Sequence, residues 1–568
     1  MRGGSPARHP NLGKDINTTL KRAYLAVIAA YLVLYIIPLG VRPLFIPDET
    51  RYAEIPREMI ATGDWVVPRL NGLRYFEKPV FGYWLDAASI LAFGQNAFAV
   101  RFPSAIADAL SAFMLFLLVR RFSGSNTTGL WAAVSFLTCL EAMVIGDIST
   151  LDSMLAMFVT LSMVSFFFAH SEARLETKVG FFILFGIACG LAFLTKGFIG
   201  FAIPVMAIIP FLIWEGRLKE LFGFPWISIA AAGLVVLPWC LMIHFRESDF
   251  WHYFFWSEHI KRFMSDSAQH AKPFWYYIPV FLGGALPWTF LLPAAAAGLK
   301  NNPNRQPLVR FFICWFVFPF IFFSVSKGKL GTYILPCFPA LAGLLAFGLW
   351  HSTNTAKIRL FNMGTAMLAA LTAAVAVVLT VSQLVDLQLP RAYSAQETWK
   401  WMLAAAGMAT WAAFLWFALK AVDLKKKLVW FSVAPLVFLL LSHFIMPELV
   451  VVRKAPGAFM LRQAGRIGPD TVLVADKDLA GAACWFYKRK DVFVLGSSGE
   501  MSYGLGYDDA GNRLLDINQF KALIQNKSRT NAIVLLARSK HYRTWKASLP
   551  EPLLEESNGP HGCFFAQF

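Results

Sequence analysis

"RAYLAVIAAYLVLYIIPLGVRPLFIPDETRYAEIPREM" (22–59) decides the architecture. Its first half is an apolar run of about 20 residues, the length a helix needs to cross the hydrocarbon core of a bilayer. Its second half crowds Asp48, Glu49, Arg51, Tyr52, Glu54, Arg57 and Glu58 onto the surface where that span ends. A loop that merely turned the chain would not need this density of both signs. The basic stretch "MRGGSPARHPNLGKDINTTLKR" precedes the run and no small-x-small cleavage site follows it, so it reads as an uncleaved first span.

Similar runs recur along the chain. Hydrophobic residues make up 57% of the 568, charged ones 15%, and mean hydropathy is +0.53. Soluble domains carry about 25% charge, so a polytopic α-helical membrane protein is expected. About thirteen spans are expected, at 22–41, 99–119, 127–146, 152–169, 179–195, 199–214, 222–245, 276–298, 308–325, 331–350, 361–382, 399–419 and 429–447. "KPVFGYWLDAASILAFG" (78–94) is short and carries Tyr83, Trp84 and Asp86, so it is expected to lie along the interface instead of crossing.

The basic residues test this layout. Lys plus Arg outnumber Asp plus Glu by 52 to 35, a net charge of +17. In a soluble protein that excess suggests nucleic acid. Here it is expected to mark cytoplasmic loops, with no nucleic-acid partner. With the N-terminus inside, every inside loop is basic: Arg120–Arg121, Arg174 and Lys178, Arg217 and Lys219, Lys300 and Arg305, Lys357 and Arg359, and Lys425–Lys427. An odd span count then places the tail outside. The expected division is a transmembrane part, 1–449, with outside loops at 42–98 and 246–275, and a soluble outside α/β domain, 450–568.

That tail alternates strand-like runs, "TVLVA" (471–475), "DVFVL" (491–495) and "AIVLLA" (532–537), with helical spacing in 479–488 and 517–525. A partly parallel sheet follows. "YGLGYDDAGNR" (503–513) reads as a loop. Five of the seven cysteines fall in apolar runs. Cys484 and Cys563 lie in the tail, where an oxidising compartment would let them pair.

Outside segments that carry Lys or Arg run against the charge bias and need a reason. "PDETRYAE" (47–54) offers acids, Glu49, Arg51 and Tyr52 for orienting a substrate or for base chemistry; interfacial solvation is the bland alternative. "GLRYFEKPVFGYW" (72–84) interleaves Lys78 and Glu77 with Tyr75 and Tyr83: aromatic shelves suit a sugar or lipid, and an ammonium holds a phosphate as a point charge. An aromatic belt would look similar. "DFWHYFFWSEHIKRFMSDSAQHAKPFWYY" (249–277) carries His252, His259, Lys261 and Arg262. The histidine spacing alone is a weak metal signal, and anion binding by Lys261 or Arg262 fits better. "SKGKLGTY" (326–333) sets Lys327 and Lys329 among glycines, a suitable cradle for phosphate, though snorkelling lysines would read the same. Lys196 and Asp152 sit at outside helix mouths, where charge is a functional hypothesis.

These segments, together with "TKGF" and "KGKLGTYIL", resemble the 4-amino-4-deoxy-L-arabinose lipid A transferases of the protein-mannosyltransferase-like, C-type glycosyltransferase class. The resemblance runs from about residue 40 to 340. It implies the C-type glycosyltransferase fold and transfer of aminoarabinose from undecaprenyl phosphate to a phosphate of lipid A, at the periplasmic face of the inner membrane. It also implies resistance to polymyxin and other cationic peptides. By position, it implies Asp48 as the first-loop acid and Lys78 as the lipid-phosphate lysine. Arg262 and Tyr333 match phosphate-holding positions, and Asp152 and Lys196 polar positions near the pocket. Glu77 with His259 matches a divalent-metal pair.

The chemistry follows from charge. Breaking the donor's glycosidic bond builds negative charge on a phosphate, which Lys78, Arg262 and Lys327 or Lys329 would stabilise, with Tyr333 donating a hydrogen bond. The acceptor phosphate is already ionised, so no proton need be removed from it. Asp48 is expected to position the amino sugar or support its cationic centre, with base catalysis a second choice. Two other readings stand: a related transferase with another sugar or acceptor, and a lipid transporter. Transporters show inverted repeats and midplane charges, whereas here the charges gather in outside loops and no repeat is visible.

Overall fold

The computed structural model describes residues 10–261, 271–301, 307–350, 355–386, 391–526 and 531–568. Among these, nine helices are long and apolar enough to cross a membrane, and eleven crossings result if each of two bent pairs counts as one. The other two expected spans differ. Residues 199–214 form a single 16-residue helix, Ile199–Trp214, with Pro204 and Pro210 inside it. Residues 429–447 fall in two short helices, Leu424–Val433 and Leu436–Ser442, with Pro435 at the junction, since a proline inside a helix removes one hydrogen bond and clashes with the preceding turn.

The bent pairs explain each other. Asn126–Leu137 and Leu140–Gly146 meet at 63°, and Phe274–Gly284 and Trp288–Lys300 at 95°. A break inside a membrane frees backbone groups that must find partners within the protein. Here the Leu140 N–H donates to the Leu286 carbonyl at 2.9 Å, and the Trp288 indole N–H donates to Thr138 Oγ1 at 3.0 Å. Each bend satisfies the other.

The segment after the first span, expected outside, folds into a scaffold. Asp48–Thr62 is a helix buried along most of its length and ended by Gly63 in the left-handed conformation (φ 69°). Its Glu49 enters a buried charge lock. Arg42 Nη1 donates to it at 2.9 Å, Arg101 donates through Nε at 2.6 Å and Nη2 at 2.9 Å, and the Phe45 and Ser149 N–H groups complete the set at 2.8 and 3.2 Å. Arg101 lies inside the span Ala97–Ser123 and is 1% exposed. The expected interfacial stretch forms the helix Phe81–Phe93, only 13 residues long.

A hairpin joins this scaffold to the tail. Strands β1 (Arg69–Leu70) and β2 (Leu73–Arg74) are linked by Asn71 and Gly72, both at positive φ (59° and 69°), the signature of a tight hairpin turn. Asn71 exchanges two hydrogen bonds with the Val492 backbone, at 2.7 and 2.9 Å, and Arg513 donates to the Asn71 carbonyl at 2.8 Å. A Cβ on Gly72 would stand 2.7 Å from the Lys490 carbonyl oxygen. Gly72→Ala is therefore expected to cost about 1–3 kcal/mol through strain and contact, seen as faster proteolysis of the tail.

The tail is a six-stranded sheet in the order β5-β4-β3-β6-β8-β7, with β3 Val472–Ala475, β4 Phe493–Leu495, β5 Leu514–Leu515, β6 Ile533–Arg538, β7 Leu554–Ser557 and β8 Cys563–Gln567. The first four in that order pair in parallel; β8 runs antiparallel to both β6 and β7. The partly parallel expectation holds, and Ile517–Gln525 is helical as its spacing predicts. Cys484 and Cys563 are buried and free. "YGLGYDDAGNR" is not a plain loop: it carries the helix Ser502–Leu505 and a turn at Asp508–Ala510 that press onto the first outside segment.

Candidate functional site

Chain direction puts the C-terminal ends of Leu20–Gly40, Leu175–Lys196 and Pro307–Val325 at the same end of the bundle as the N-terminal ends of Leu151–Ser171 and Gly331–Trp350. At that end Asp152 and Lys196 form an ion pair, and the Lys196 ammonium lies 4.7 Å from the centre of the Tyr333 ring. Three residues from three spans, separated widely in sequence, meet here. Tyr277 adds a hydroxyl that donates to the Leu330 carbonyl at 3.0 Å, fixing the turn before Tyr333.

The loop helix supplies the facing wall. Asp48, 60% exposed at the helix start, accepts from Arg51 Nη2 at 2.7 Å. Arg51 also pairs with Glu500 of the tail and lies 4.9 Å over the Tyr52 ring. Tyr52 stacks on Tyr83 at 6.2 Å between centroids, and the Tyr75 hydroxyl reaches Glu500 at 3.4 Å. Burial pushes the Tyr52 hydroxyl up; Arg51 opposes this, while Asp152, Asp48 and Glu77 add to it. Tyr75 and Tyr83 are raised by burial as well. All three hydroxyls remain protonated donors near neutral pH. Beside Tyr83, a Cβ on Gly82 would clash with the side chain of Leu151, the neighbour of Asp152, so the two walls pack together.

The remaining expected residues divide by position. Lys78 is half-buried, and its ammonium donates to the Glu77 carbonyl at 2.7 Å. Glu77 is buried beside it. Lys329 is only 2% exposed and donates to the Lys272 carbonyl at 3.0 Å and to the Ser326 carbonyl. Burial lowers its pKa. Its ammonium braces the 326–330 turn against 271–272, where the Lys272 N–H donates to the Lys327 carbonyl at 3.2 Å. Lys327 itself is partly buried in that turn. Glu49 is not on this rim: its oxygens are consumed by the lock with Arg42 and Arg101. Arg262 and the His259 side chain lie outside the described residues. Among the described residues no group of three His, Cys, Asp or Glu collects as a metal cage.

Sequence reasoning missed Glu500. It sits in an unremarkable "SSGEM" and reaches the site only because the tail docks on the hairpin. Between Pro47, Arg51 and Leu70 on one side and Lys477, Gly499 and Glu500 on the other lies a cavity of about 350 Å³. Two apolar grooves of about 500 and 250 Å³ open between the spans, lined by residues such as Tyr31, Trp131 and Trp350 in one and Phe166, Phe182 and Pro204 in the other.

Comparison with known proteins agrees across both halves. Residues 21–254 match the dolichyl-phosphate-mannose-protein mannosyltransferase family, and 451–563 match the C-terminal domain of arabinosyl transferase ArnT. The undecaprenyl phosphate-alpha-4-amino-4-deoxy-L-arabinose arabinosyl transferase of Shewanella sediminis is 40% identical over 532 residues, covering 93% of this chain and 95% of the relative. That of Erwinia tasmaniensis is also 40% identical, covering 89% and 92%. The fold superposes on the crystal structure of ArnT from Cupriavidus metallidurans bound to undecaprenyl phosphate, with a TM-score of 0.80 at 23% identity over 96% of this chain and 97% of that one. A chain so similar over nearly its whole length, with the spans, the outside scaffold and the tail all matched, belongs to the undecaprenyl phosphate-alpha-4-amino-4-deoxy-L-arabinose arabinosyl transferases, and it is a multi-span membrane glycosyltransferase.

Proposed function

We propose that this enzyme moves 4-amino-4-deoxy-L-arabinose from undecaprenyl phosphate to a phosphate of lipid A, on the periplasmic side of the bacterial inner membrane. The product has less negative surface charge, which weakens attraction of polymyxin and other cationic peptides. The observation that carries this reading is the 40% identity to a transferase of that name across 93% of the chain. The basic inside loops support the orientation.

The residues divide the work. As the glycosidic bond breaks, the lipid phosphate leaves with the bonding electrons, and Lys78, with Lys327 and Arg262, stabilises the growing charge. Tyr333, held against the Asp152–Lys196 pair, donates to the same phosphate. An ionised phosphate oxygen of the acceptor attacks the anomeric carbon from the opposite face, so one step inverts the centre and no general base is required. Asp48 and Glu500 flank Arg51, and this acidic, tyrosine-lined wall suits an ammonium-bearing sugar.

The test is an assay of purified protein with purified donor lipid and lipid A, with and without chelator. Mass spectrometry of lipid A reads the transfer, and the anomeric NMR coupling of the product reads inversion. Unmodified lipid A alongside modification of another acceptor would assign the enzyme to a different substrate. Asp48→Asn is expected to cut kcat by roughly 10²-fold at saturating donor, as for loss of one electrostatic partner of the transition state. A raised KM with unchanged kcat would assign Asp48 to binding alone.

A further inference from the structure

The "YGLGY" turn of the tail (503–507) touches both outside loops at once. The Tyr503 and Tyr507 hydroxyls both donate to one Asp249 carboxylate oxygen. The Tyr503 ring stacks on Tyr253 at 3.9 Å and lies 5.6 Å from Phe76. Phe76 in turn meets Phe250 edge-on at 5.0 Å. Arg74 lies 4.2 Å over the Tyr507 ring, pairs with Glu247 at 2.7 Å and with Asp509 at 2.6 Å. Gly504 permits this closeness: a Cβ there would fall 2.5 Å from the Arg74 carbonyl oxygen and 2.9 Å from the Leu73 Cβ. Three stretches, 72–78, 247–253 and 503–509, thus form one knot. Two residues beyond Phe76 is Lys78.

Resting on the function proposed above, we propose that Tyr503 and Tyr507 are positioning residues, a clamp by which the tail fixes the Lys78 loop against the segment after Arg246 and so sets the geometry of the phosphate-binding rim. The argument is geometric. Lys78 holds a phosphate as a point charge on a flexible stem, so its usefulness depends on where its backbone is fixed. Leu73, Tyr75 and Phe76 pack the loop into the core, and the knot adds the polar attachment at Arg74 next to it. Paired tyrosines on one carboxylate give a charge-assisted attachment whose rings also exclude water from Phe76 and Tyr253. The tail then takes part in catalysis through other residues, without touching the reacting atoms.

The test uses the full-length protein in nanodiscs and undecaprenyl phosphate as probe. The double variant Tyr503→Phe/Tyr507→Phe keeps both rings, so it folds, and loses only the hydroxyls. Expected results are undecaprenyl phosphate binding at least tenfold weaker, amide exchange over 72–80 and 246–256 at least tenfold faster, and kcat/KM at least tenfold lower. Asp249→Asn is expected to match it, and the combined variant to be no worse than either. If wild type binds the probe, unchanged affinity in the double variant, or additive losses, overturns the clamp. If wild type does not bind the probe, the proposed function falls instead, and unchanged amide exchange in the variant overturns the clamp by itself.

Discussion

Lys78→Ala is expected to abolish transfer, with kcat/KM falling roughly 10³-fold, while the protein inserts and purifies normally. Removing one donor to a developing oxyanion costs 10²–10³ in rate. Lys78 carries a full charge into a site whose neighbours Tyr75, Phe76 and Val80 exclude water, so the upper end of that range applies. The side chain is half-buried, and its ammonium donates to the carbonyl of Glu77; purification yield and melting temperature of the variant, compared with wild type, separate lost chemistry from lost folding. Lys78→Arg keeps the charge but spreads it over a planar fork, and is expected to recover part of the rate. Steady-state transfer with purified lipids measures both. Full activity of Lys78→Ala would remove the phosphate-clamp role.

Glu49→Ala is expected to do the opposite, costing about 3–5 kcal/mol of stability because Arg42 and Arg101 would stay buried without their counter-ion. Burial opposes ionisation of Glu49, but the two guanidiniums and the Phe45 N–H overcome it and hold the carboxyl at about 2, against an ordinary 4.5. A depressed carboxylate stabilises the fold at pH values above its unfolded pKa. That contribution is therefore full above about pH 4.5 and is lost as pH falls from there towards 2, a span worth roughly 3 kcal/mol. Thermal unfolding in detergent at pH 7 and at pH 3 measures both effects: the variant melts lower at pH 7, and the gap to wild type narrows at pH 3. A variant that melts normally yet fails to bind donor would place Glu49 on the substrate.

These two residues show what the sequence yields and what it withholds. The membrane class and the family were legible because hydropathy and whole motifs are local signals, and the meeting of Asp152, Lys196 and Tyr333 at one end of the bundle agrees with their sequence reading. Lys78, Asp152, Lys196 and Tyr333 stand out as charge or hydroxyl at the mouths of apolar runs. Glu49 was read as a substrate ligand because its partner Arg101 lies 52 positions away. The clue was there, an arginine inside an apolar run, which demands a counter-ion. The broken spans were hidden for a related reason. Hydropathy reports that residues 126–146 are apolar but not that they bend, and the bend depends on Leu286 and Trp288 from another helix. Glu500 had no local signal whatever. The "YGLGY" turn was visible as a motif, but its glycines suggested a loop, when Gly504 in fact allows close docking.

The pairing of Tyr75 with Glu500 spans 425 positions, and this has a consequence for how the protein is made. Among the described residues, all the helices long and apolar enough to cross a membrane precede residue 450, so a chain cut short after that point still carries them. Such a product would keep Lys78, Asp152 and Lys196 but lack one acidic wall and the knot that steadies the rim. The distance along the chain between these partners thus separates what a shortened product keeps, the spans, from what only the finished chain assembles, the Glu500 side of the cavity.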